Sequence, residues 1–333
     1  MRLGAELAVS EINESGGVQG RRLELLPADD RGHAETAAQV AERYRDNNTV
    51  VVVIGHADNA TTLAAASIYG SGENPVAAIT PSASSPDVTR TGPYIFRACP
   101  DAVAHAIALA EWARDQLGIR TAATLYQNDR KSRQTAAAFR GEFIDRGGLL
   151  IAEDPFSHAL PSFEPYLTRA ANRGGIQGLL VVGGGTSIGS IMATLDTVGI
   201  EPTILGNRDL LRFVPAESGA LEGAYLSTAY LPDRGGTRNE SFVAAFRQAN
   251  GGQLPDPTAA SSYDIVFLIA HAVAARGPTR AAIRRYLSGV GTESEPFEGA
   301  TGTVEFDENG DLRSTNVEVG IVRNGTVVPA SER

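Results

Sequence analysis

Two patterns of apolar and polar positions alternate along the first two-thirds of the chain. Residues 49–54, TVVVVI, form a continuous apolar run of the length expected for a buried strand. Residues 4–14 instead place Leu7, Ala8 and Ile12 on one face of a helix, as an amphipathic helix does. Across this part of the chain the two patterns predict strands at residues 22–27, 49–54, 75–80, 94–97, 121–126, 149–152, 176–182 and 203–205, and helices at residues 4–14, 34–45, 61–69, 102–117, 132–146, 162–172 and 188–198.

This repeated order of strand and helix predicts parallel sheets with helices packed on both faces. The alternation restarts after residues 99–101, which indicates two lobes of similar design. The last third of the chain is different, with extended segments predicted at residues 223–230, 302–306, 316–323 and 326–329 and helices at residues 239–249, 257–275 and 279–287. The dipeptide Asn324-Gly325 predicts a β-hairpin between the last two segments. We therefore predict an α/β protein with two Rossmann-like lobes.

Composition is that of a globular protein with enough chain for two domains. The 333 residues are 42% hydrophobic and 20% charged, and the formal net charge is −10. Nucleic acids and anionic membranes attract dense clusters of Lys and Arg. The one close basic group, Arg280, Arg284 and Arg285, has the spacing of a solvated helix face. The charge pattern thus argues against nucleic acid as a partner.

Side chains typical of catalysis or of metal binding are scattered along the sequence. The one cysteine, Cys99, cannot form an internal disulfide, and no Cys/His spacing is typical of a zinc site. The five histidines are dispersed: His105, near a predicted helix start, is expected at the surface, and only His56 follows a predicted strand. We predict no catalytic residue, no metal site and no cofactor.

A glycine-rich segment, VVGGGTSIG at residues 181–189, follows a predicted strand and opens a predicted helix. Its glycine spacing is similar to that of a dinucleotide-binding loop, but it lies in the third strand–helix unit of the second half. Nucleotide binding by an enzyme therefore stays as a minor alternative.

Small polar residues follow two neighbouring predicted strands. The sequence HADNATT at residues 56–62 follows the strand at residues 49–54, and TPSASSPD at residues 80–87 follows the next strand. In a parallel sheet, ligands bind beyond the carboxyl ends of the strands, where helix N-termini present unpaired N–H groups. The two loops predict a small pocket for a carboxylate, with hydroxyls and carbonyls that also accept from an ammonium group. The alternative is that Asn59 or Thr61 only caps the following helix.

Five segments, taken in order, resemble one known family. They read GAELAVSEINESGGVQGRRLELLPADD at residues 4–30, VVVVIGHADNATTLAAASIY at residues 50–69, ITPSASSPDVTRTGPYIFRACPD at residues 79–101, SSYDIVFLIAHAV at residues 261–273 and FEGATGTVEFDENGDL at residues 297–312. Their order and spacing resemble the leucine/isoleucine/valine-binding type of periplasmic substrate-binding protein, with the type I periplasmic binding fold. The resemblance covers nearly the whole chain.

The resemblance implies a two-lobed clamp with three crossovers and a ligand cleft. Residues 1–100 and 230–313 would form lobe 1, and residues 101–229 and 314–333 would form lobe 2. The implied function is that of an extracytoplasmic solute-binding protein of an ABC-type importer, which binds an amino acid or similar small carboxylate between two closing lobes.

Partners and location also follow from the resemblance. ABC permease subunits are the implied partners of a monomer in the periplasm or outside the cell, with a lipid anchor as one option. One alternative is a ligand-sensing domain of a membrane receptor or regulator with the same fold. Another is a degenerate domain that binds nothing.

Site positions carry over from the family in both lobes. In lobe 1, the carboxylate and ammonium of the ligand would meet Asn59, Ala60, Ser82 and Ser84. The backbone N–H groups would do much of this binding, so Asn59 can stand where the family often has serine.

The second lobe departs from the family pattern at the implied ligand positions. Lys131 stands where a tyrosine is usual, Thr186 lies near the position of a second aromatic residue, and Arg208 stands where an acid is common, with Asp209 beside it. Lys131 and Arg208 favour a ligand with extra negative charge or several hydroxyls, such as a dicarboxylate. Two alternatives stay open: Asp209 takes the role of the acid, or Lys131 and Arg208 point to solvent and the ligand is not an amino acid.

The start of the sequence also differs from the family. The family begins with a strand in the middle of the first sheet, whereas this sequence begins with the helix that follows that strand. Removal of a central strand would expose unpaired backbone and core. We expect either an upstream start, with the signal peptide or lipoprotein cysteine that this sequence lacks, or another segment that fills the gap.

Overall fold

The computed structural model describes residues 1–157, 160, 162–183, 187–213, 219–313 and 316–330. The chain divides into two compact units. Unit 1 comprises Met1–Asp101 and Arg234–Asn316, and unit 2 comprises Ala102–Asp233 and Val317–Arg333. The chain therefore passes from one unit to the other at three points.

Helices and strands alternate through most of both units. The helices are α1 (Arg2–Glu14), α2 (Ala34–Asp46), α3 (Asn59–Tyr69), α4 (Ala102–Glu111), α5 (Arg130–Asp145), α6 (Glu164–Ala171), α7 (Ile188–Val198), α8 (Thr237–Ala249), α9 (Pro257–Arg276) and α10 (Arg280–Gly289). The strands are β1 (Val53–Ile54), β2 (Ala78–Thr80), β3 (Ile95–Arg97), β4 (Thr121–Gln127), β5 (Leu149–Phe156), β6 (Gly178–Val182), β7 (Thr203–Asn207), β8 (Tyr225–Thr228), β9 (Phe297–Gly299), β10 (Gly302–Val304), β11 (Glu318–Arg323) and β12 (Thr326–Pro329). The α/β class predicted from the sequence is confirmed.

Unit 1 is built on a short parallel sheet in the order β1-β2-β3. Val53 pairs with Ala78, and Ala78 pairs with Ile95 on its other side. The long helix α9 begins at Pro257, where the Asp256 carboxylate accepts a hydrogen bond of 2.7 Å from the Ala259 N–H. This helix is apolar and long enough to cross a membrane, but 72% of its apolar window is buried. It is therefore the core helix of unit 1.

The first predicted strand, at residues 22–27, is not a strand in the structure, and the second is shorter than predicted. A β-strand needs the backbone of a neighbouring strand for its hydrogen bonds. Among the described residues, no strand pairs with residues 22–27, and the side chain of Asn13 in α1 bonds the backbone of Leu23 instead. The Asn13 carboxamide accepts a hydrogen bond of 2.8 Å from the Leu23 N–H and donates one of 2.9 Å to the Leu23 carbonyl. Only Val53–Ile54 of the predicted run at residues 49–54 pairs, opposite Ala78 and Ile79 of the three-residue strand β2.

These two extended segments flank an apolar groove of about 280 Å³ in unit 1. Residues of α1 and α2, Tyr69 of α3, and Val266 and Ile269 of α9 also line it. Among the described strands, β1 is paired only with β2, and its other edge borders the groove. The alternative in which another segment of this sequence fills the gap is therefore wrong for the described part of the chain.

Unit 2 contains a seven-stranded sheet in the order β12-β11-β8-β7-β6-β4-β5. The neighbours from β8 to β5 are parallel, whereas β11 is antiparallel to both β8 and β12. Alternate residues of β6 pack on opposite faces: Leu179 and Val181 pack against α6 and α7, and Leu180 and Val182 pack against α4 and α5. Each sheet face thus has its own hydrophobic core.

The predicted hairpin at the end of unit 2 is confirmed. Strands β11 and β12 pair with Arg323 opposite Thr326. Asn324 and Gly325 between them have φ values of 50° and 73°, as a two-residue hairpin turn of the primed type requires. The hairpin adds the antiparallel edge of an otherwise parallel sheet.

A close helix–helix contact in unit 1 gives a test of the fold. A Cβ atom on Gly4 of α1 would lie 2.0 Å from the carbonyl oxygen of Ala259 in α9, whereas one on Gly141 of α5 would have no atom within 4 Å. We expect Gly4→Ala to lower the free energy of unfolding by about 1–3 kcal/mol, because the two backbones must move apart. The control Gly141→Ala should raise it by about 0.5–1 kcal/mol through helix propensity. Urea unfolding measures both, and an unchanged stability in Gly4→Ala would contradict the helix packing.

Candidate functional site

Two loops of unit 1 lie together at the carboxyl edge of its sheet. One follows β1 and the other follows β2, which are parallel neighbours. Three hydrogen bonds cross-link them: Thr80 Oγ1 to the His56 carbonyl at 2.8 Å, Ser82 Oγ to the Ala57 carbonyl at 2.7 Å, and the Ser85 N–H to Asn59 Oδ1 at 2.7 Å. The loops that the sequence placed side by side are therefore held as one structure.

The cap of α3 is Asp58, not Asn59 or Thr61. The Asp58 carboxylate accepts a hydrogen bond of 2.9 Å from the Thr61 N–H, and its carbonyl accepts one of 2.6 Å from the Thr62 hydroxyl. The capping alternative was thus assigned to the wrong residue. Because Asp58 takes the N-cap position, Asn59 becomes the first helical residue and its side chain reaches the second loop.

Several hydrogen-bond donors of these loops have no acceptor among the described residues, and four of them lie where helix α3 begins and in the second loop. These four are the backbone N–H groups of Asn59, Ala60 and Ser84 and the hydroxyl of Ser84. The N–H groups of Asn59 and Ala60 belong to the first turn of α3, where the helix dipole favours an anion. Ala60 is exposed and Ser84 is half-buried. This arrangement suits a carboxylate.

The four predicted residues of unit 1 therefore divide into two kinds. The side-chain oxygen of Asn59 accepts from Ser85, and the Ser82 hydroxyl donates to Ala57. These two side chains fix the loops to one another. Ala60 and Ser84, together with the backbone N–H of Asn59, have donors available to a ligand.

A buried arginine that sequence reasoning missed holds the second loop in place. Arg97 of β3 is fully buried and donates from Nη1 to the Ser85 carbonyl at 2.6 Å and to the Ala83 carbonyl at 3.4 Å. Its Nε donates to Asp311 Oδ1 at 2.8 Å, and Nη2 forms an ion pair with the same carboxylate. One signal was present in the sequence, since an arginine inside an apolar strand is rarely buried without a partner.

The histidine at the end of β1 is structural. His56 is buried, with Nδ1 2.6 Å from Asp30 Oδ2 and Nε2 2.9 Å from the Tyr69 hydroxyl. Burial raises the pKa of Tyr69, so its hydroxyl keeps the proton that it donates to Nε2. Burial also acts to raise the pKa of Asp30, but hydrogen bonds from His56 and from the Gly32 N–H outweigh it and lower that pKa. Both ring nitrogens of His56 are therefore engaged.

Unit 2 has a pocket of about 320 Å³ at the carboxyl ends of β4, β6 and β7. Its walls expose more apolar than polar surface, although seven of the sixteen residues that line it are polar or charged. The lining residues are Ala102, His105, Ala106, Leu109, Gln127, Lys131, Thr135, Leu180, Val181, Val182, Gly183, Gly206, Asn207, Asp209, Leu210 and Ser227. Such a pocket, with apolar walls and convergent polar groups, is typical of a small-molecule site.

The structure brings only some of the predicted residues of the second lobe together. Lys131, in the first turn of α5, and Asp209 both line the pocket. Arg208 is half-buried and is not one of the described residues that line it. Thr186 lies outside the described residues.

His105 was expected at the surface, and this expectation is wrong. It lines the pocket, and its Nδ1 is buried without a hydrogen-bond partner among the described residues. Burial lowers its pKa to about 4, while Asp209 acts to raise the pKa and Lys131 to lower it. The signal available in the sequence was helical spacing, because the buried Ala102, Ala106 and Leu109 lie on the same face of α4.

Comparison with known proteins decides the family. A profile of the family described as periplasmic binding protein matches residues 1–325. The chain belongs to this family. Its relatives include the Leu/Ile/Val-binding protein homolog 3 of Brucella melitensis, which is 24% identical over 98% of this chain and 88% of the relative. Another is the leucine-, isoleucine-, valine-, threonine- and alanine-binding protein of Pseudomonas aeruginosa, 25% identical over 96% of this chain and 83% of the relative.

Solved structures of periplasmic binding proteins have the same fold. The ABC transporter substrate-binding protein of Desulfitobacterium hafniense, in complex with Leu, matches with a TM-score of 0.87 and 29% identity, over 98% of this chain and 94% of that one. A leucine-binding protein of Thermotoga maritima matches with a TM-score of 0.82 and 25% identity, over 98% and 91%. The type I periplasmic binding fold and the resemblance to the leucine/isoleucine/valine-binding type are thereby confirmed. The family is made up of solute-binding proteins.

The position of Arg97 gives a test of the unit 1 loops. We expect Arg97→Met to lower the free energy of unfolding by about 3–5 kcal/mol, because it leaves Asp311 and two loop carbonyls without their buried partner. The control Arg140→Met removes a half-exposed ion pair with Glu153 and should cost no more than about 1 kcal/mol. Urea unfolding measures both. Equal losses in the two variants would contradict the role of Arg97.

Proposed function

We propose that this chain is the extracytoplasmic solute-binding component of an ABC-type importer, and that its ligand is an amino acid or a similar small carboxylate. The observation that carries the proposal is a group of four donors in unit 1 that have no acceptor among the described residues: the N–H groups of Asn59, Ala60 and Ser84 and the Ser84 hydroxyl. A carboxylate has acceptor sites for all four. The names of the relatives support the same class of ligand, since the protein from Pseudomonas aeruginosa is an amino-acid-binding protein and the structure from Desulfitobacterium hafniense contains Leu.

The chemistry of these loops is that of binding rather than catalysis. The nearby His56 is engaged through both ring nitrogens, so it does not serve as a free base. Charge-assisted hydrogen bonds from backbone N–H groups hold a carboxylate strongly and need no side chain of opposite charge. We therefore propose a binding protein without enzymatic activity.

The pocket of unit 2 points to an apolar ligand body rather than a second carboxylate. Leu109, Leu180 and Leu210 are among its walls, and Lys131 is matched by Asp209 at the lining. One cation opposed by one anion gives little preference for a dianion. We therefore favour ligands with a small aliphatic or aromatic body over the dicarboxylates that the sequence suggested.

The remaining parts of the proposal concern the partners and the location of the protein. Membership of the periplasmic binding protein family supports a location outside the cytoplasm and delivery of ligand to ABC permease subunits. We propose that the protein acts as a monomer.

Substitution of the free hydroxyl tests the proposal. We expect Ser84→Ala to weaken binding of a carboxylate ligand by about 10- to 100-fold, the loss expected for one hydrogen bond to a charged group. Stability without ligand should be unchanged, because Ser84 Oγ has no partner among the described residues. Isothermal titration calorimetry with a panel of amino acids and aromatic acids measures the affinity.

Two further variants show whether a loss of affinity in Ser84→Ala comes from the lost hydroxyl. The control Ser67→Ala alters an exposed serine of α3 and should bind as the wild type does. Asn59→Ala should lower both affinity and stability, because its side chain joins the two loops. Wild-type affinity in Ser84→Ala would contradict the site, and failure of the wild-type protein to bind any member of the panel would contradict the function.

A further inference from the structure

The histidine in the pocket of unit 2 has a ring nitrogen without a hydrogen-bond partner among the described residues. This atom, His105 Nδ1, is buried. It belongs to a side chain that lines a pocket of about 320 Å³. A buried polar atom without a partner is costly. Trp112 Nε1, Thr124 Oγ1 and Gln134 Oε1 are also buried without a partner among the described residues, but none of these three residues lines the pocket. The pocket beside His105 is where a partner can enter.

Charge at this position is balanced. Two charged residues face His105 from the elements packed around it: Lys131 from the first turn of α5 and Asp209 from the segment after β7. Their effects on the imidazole oppose each other. Burial keeps the pKa of His105 at about 4, so the ring is neutral near pH 7. A ligand group placed here therefore meets a neutral ring and no net charge.

A hydroxyl fits a neutral imidazole nitrogen better than an ionised group does. Nδ1 donates in one tautomer and accepts in the other, and a hydroxyl can match either one. A carboxylate only accepts and an ammonium only donates, so each restricts the ring to one tautomer and must also lose its hydration against apolar walls. The apolar walls instead suit a short hydrocarbon body that carries the hydroxyl.

We propose that His105 is a specificity-determining residue, and that the pocket of unit 2 selects ligands that present a neutral hydroxyl on a small apolar body to His105 Nδ1. This inference rests on the proposed function, because it assumes a small carboxylate ligand. It adds a rule: of two ligands with the same shape, the protein binds the hydroxyl form more tightly than the methyl form. Neither the family match nor the unit 1 loops require that rule.

Calorimetry with matched pairs of ligands tests the rule. Threonine and valine differ by a hydroxyl in place of a methyl group, as do 4-hydroxybenzoate and 4-methylbenzoate. We expect the wild-type protein to bind the hydroxyl member of at least one pair about 10-fold more tightly, because a site built around a polar group discriminates against the analogue that lacks it. In His105→Leu this ratio should fall to about one or reverse.

Three controls separate specificity from a structural effect. His105→Gln keeps a polar side chain and should retain part of the preference, whereas His33→Leu, an exposed histidine of unit 1, should leave the ratio unchanged. The ratio within a pair is the readout, so a general loss of stability does not imitate the result. In the wild-type protein, the ¹⁵N resonance of His105 Nδ1 should move with the hydroxyl ligand and not with its methyl analogue.

The outcomes distinguish this inference from the function on which it rests. A ratio in His105→Leu equal to that of the wild type, or a wild-type preference for the methyl member of both pairs, overturns the role of His105 and leaves the binding function intact. The same holds if the wild type binds leucine but no member of either pair. If the wild type binds neither leucine nor any of the four compounds, the proposed function itself fails and the inference fails with it.

Discussion

The buried guanidinium of Arg97 is the constraint on which the unit 1 site depends. It donates to the carbonyls of Ala83 and Ser85 and is neutralised by Asp311, so it fixes the loop after β2 from below. Arg97 fixes the carbonyls of that loop, and the Ser85 N–H of the same loop donates a hydrogen bond to the Asn59 side chain. Asn59 can make that bond only because Asp58, and not Asn59, caps α3. The donors of Ala60 and Ser84 remain available as a consequence.

The two units contribute different chemistry. Unit 1 offers backbone N–H groups at a helix terminus, an arrangement that suits a carboxylate whatever the remainder of the ligand. Unit 2 offers a pocket with apolar walls from Leu109, Leu180 and Leu210 and with polar groups that include His105 and Lys131. Under the proposed function, unit 1 provides affinity for carboxylates as a class and unit 2 discriminates among them. The missing aromatic residues of the second lobe are consistent with this division, since apolar walls from α4 and β6 are still present.

Helical periodicity and strand length were sufficient to predict most elements, because burial of one face enforces both. The bounds of α7 and β12 are those that the sequence predicted. Prediction failed where an element depends on a partner that is distant in sequence, or on backbone pairing that leaves no pattern in the side chains. Residues 22–27 have strand composition but no strand partner among the described residues, and composition does not report pairing.

The same reason explains what was missed at the candidate site. Arg97 and Asp311 are separated by 214 positions, so no local sequence pattern links them. The two loops of unit 1 were predictable because parallel neighbours end at the same edge of a sheet. Which side chains fix the loops and which donors stay available was not predictable, because the choice between Asp58 and Asn59 as the N-cap of α3 depends on backbone geometry. His105 was misplaced because a single histidine near a helix start carries no sign of which face it lies on until the buried alanines are aligned with it.

The most direct test of the central claim is the amide spectrum of the protein during a titration with leucine. The backbone N–H resonances of Ala60 and Ser84 should move downfield as each amide donates to the ligand carboxylate, and both should saturate at the concentration at which calorimetry shows saturation. The amide of Thr61, already bonded to Asp58, should move much less. Binding of leucine that leaves Ala60 and Ser84 unmoved would contradict the claim that these loops hold the carboxylate.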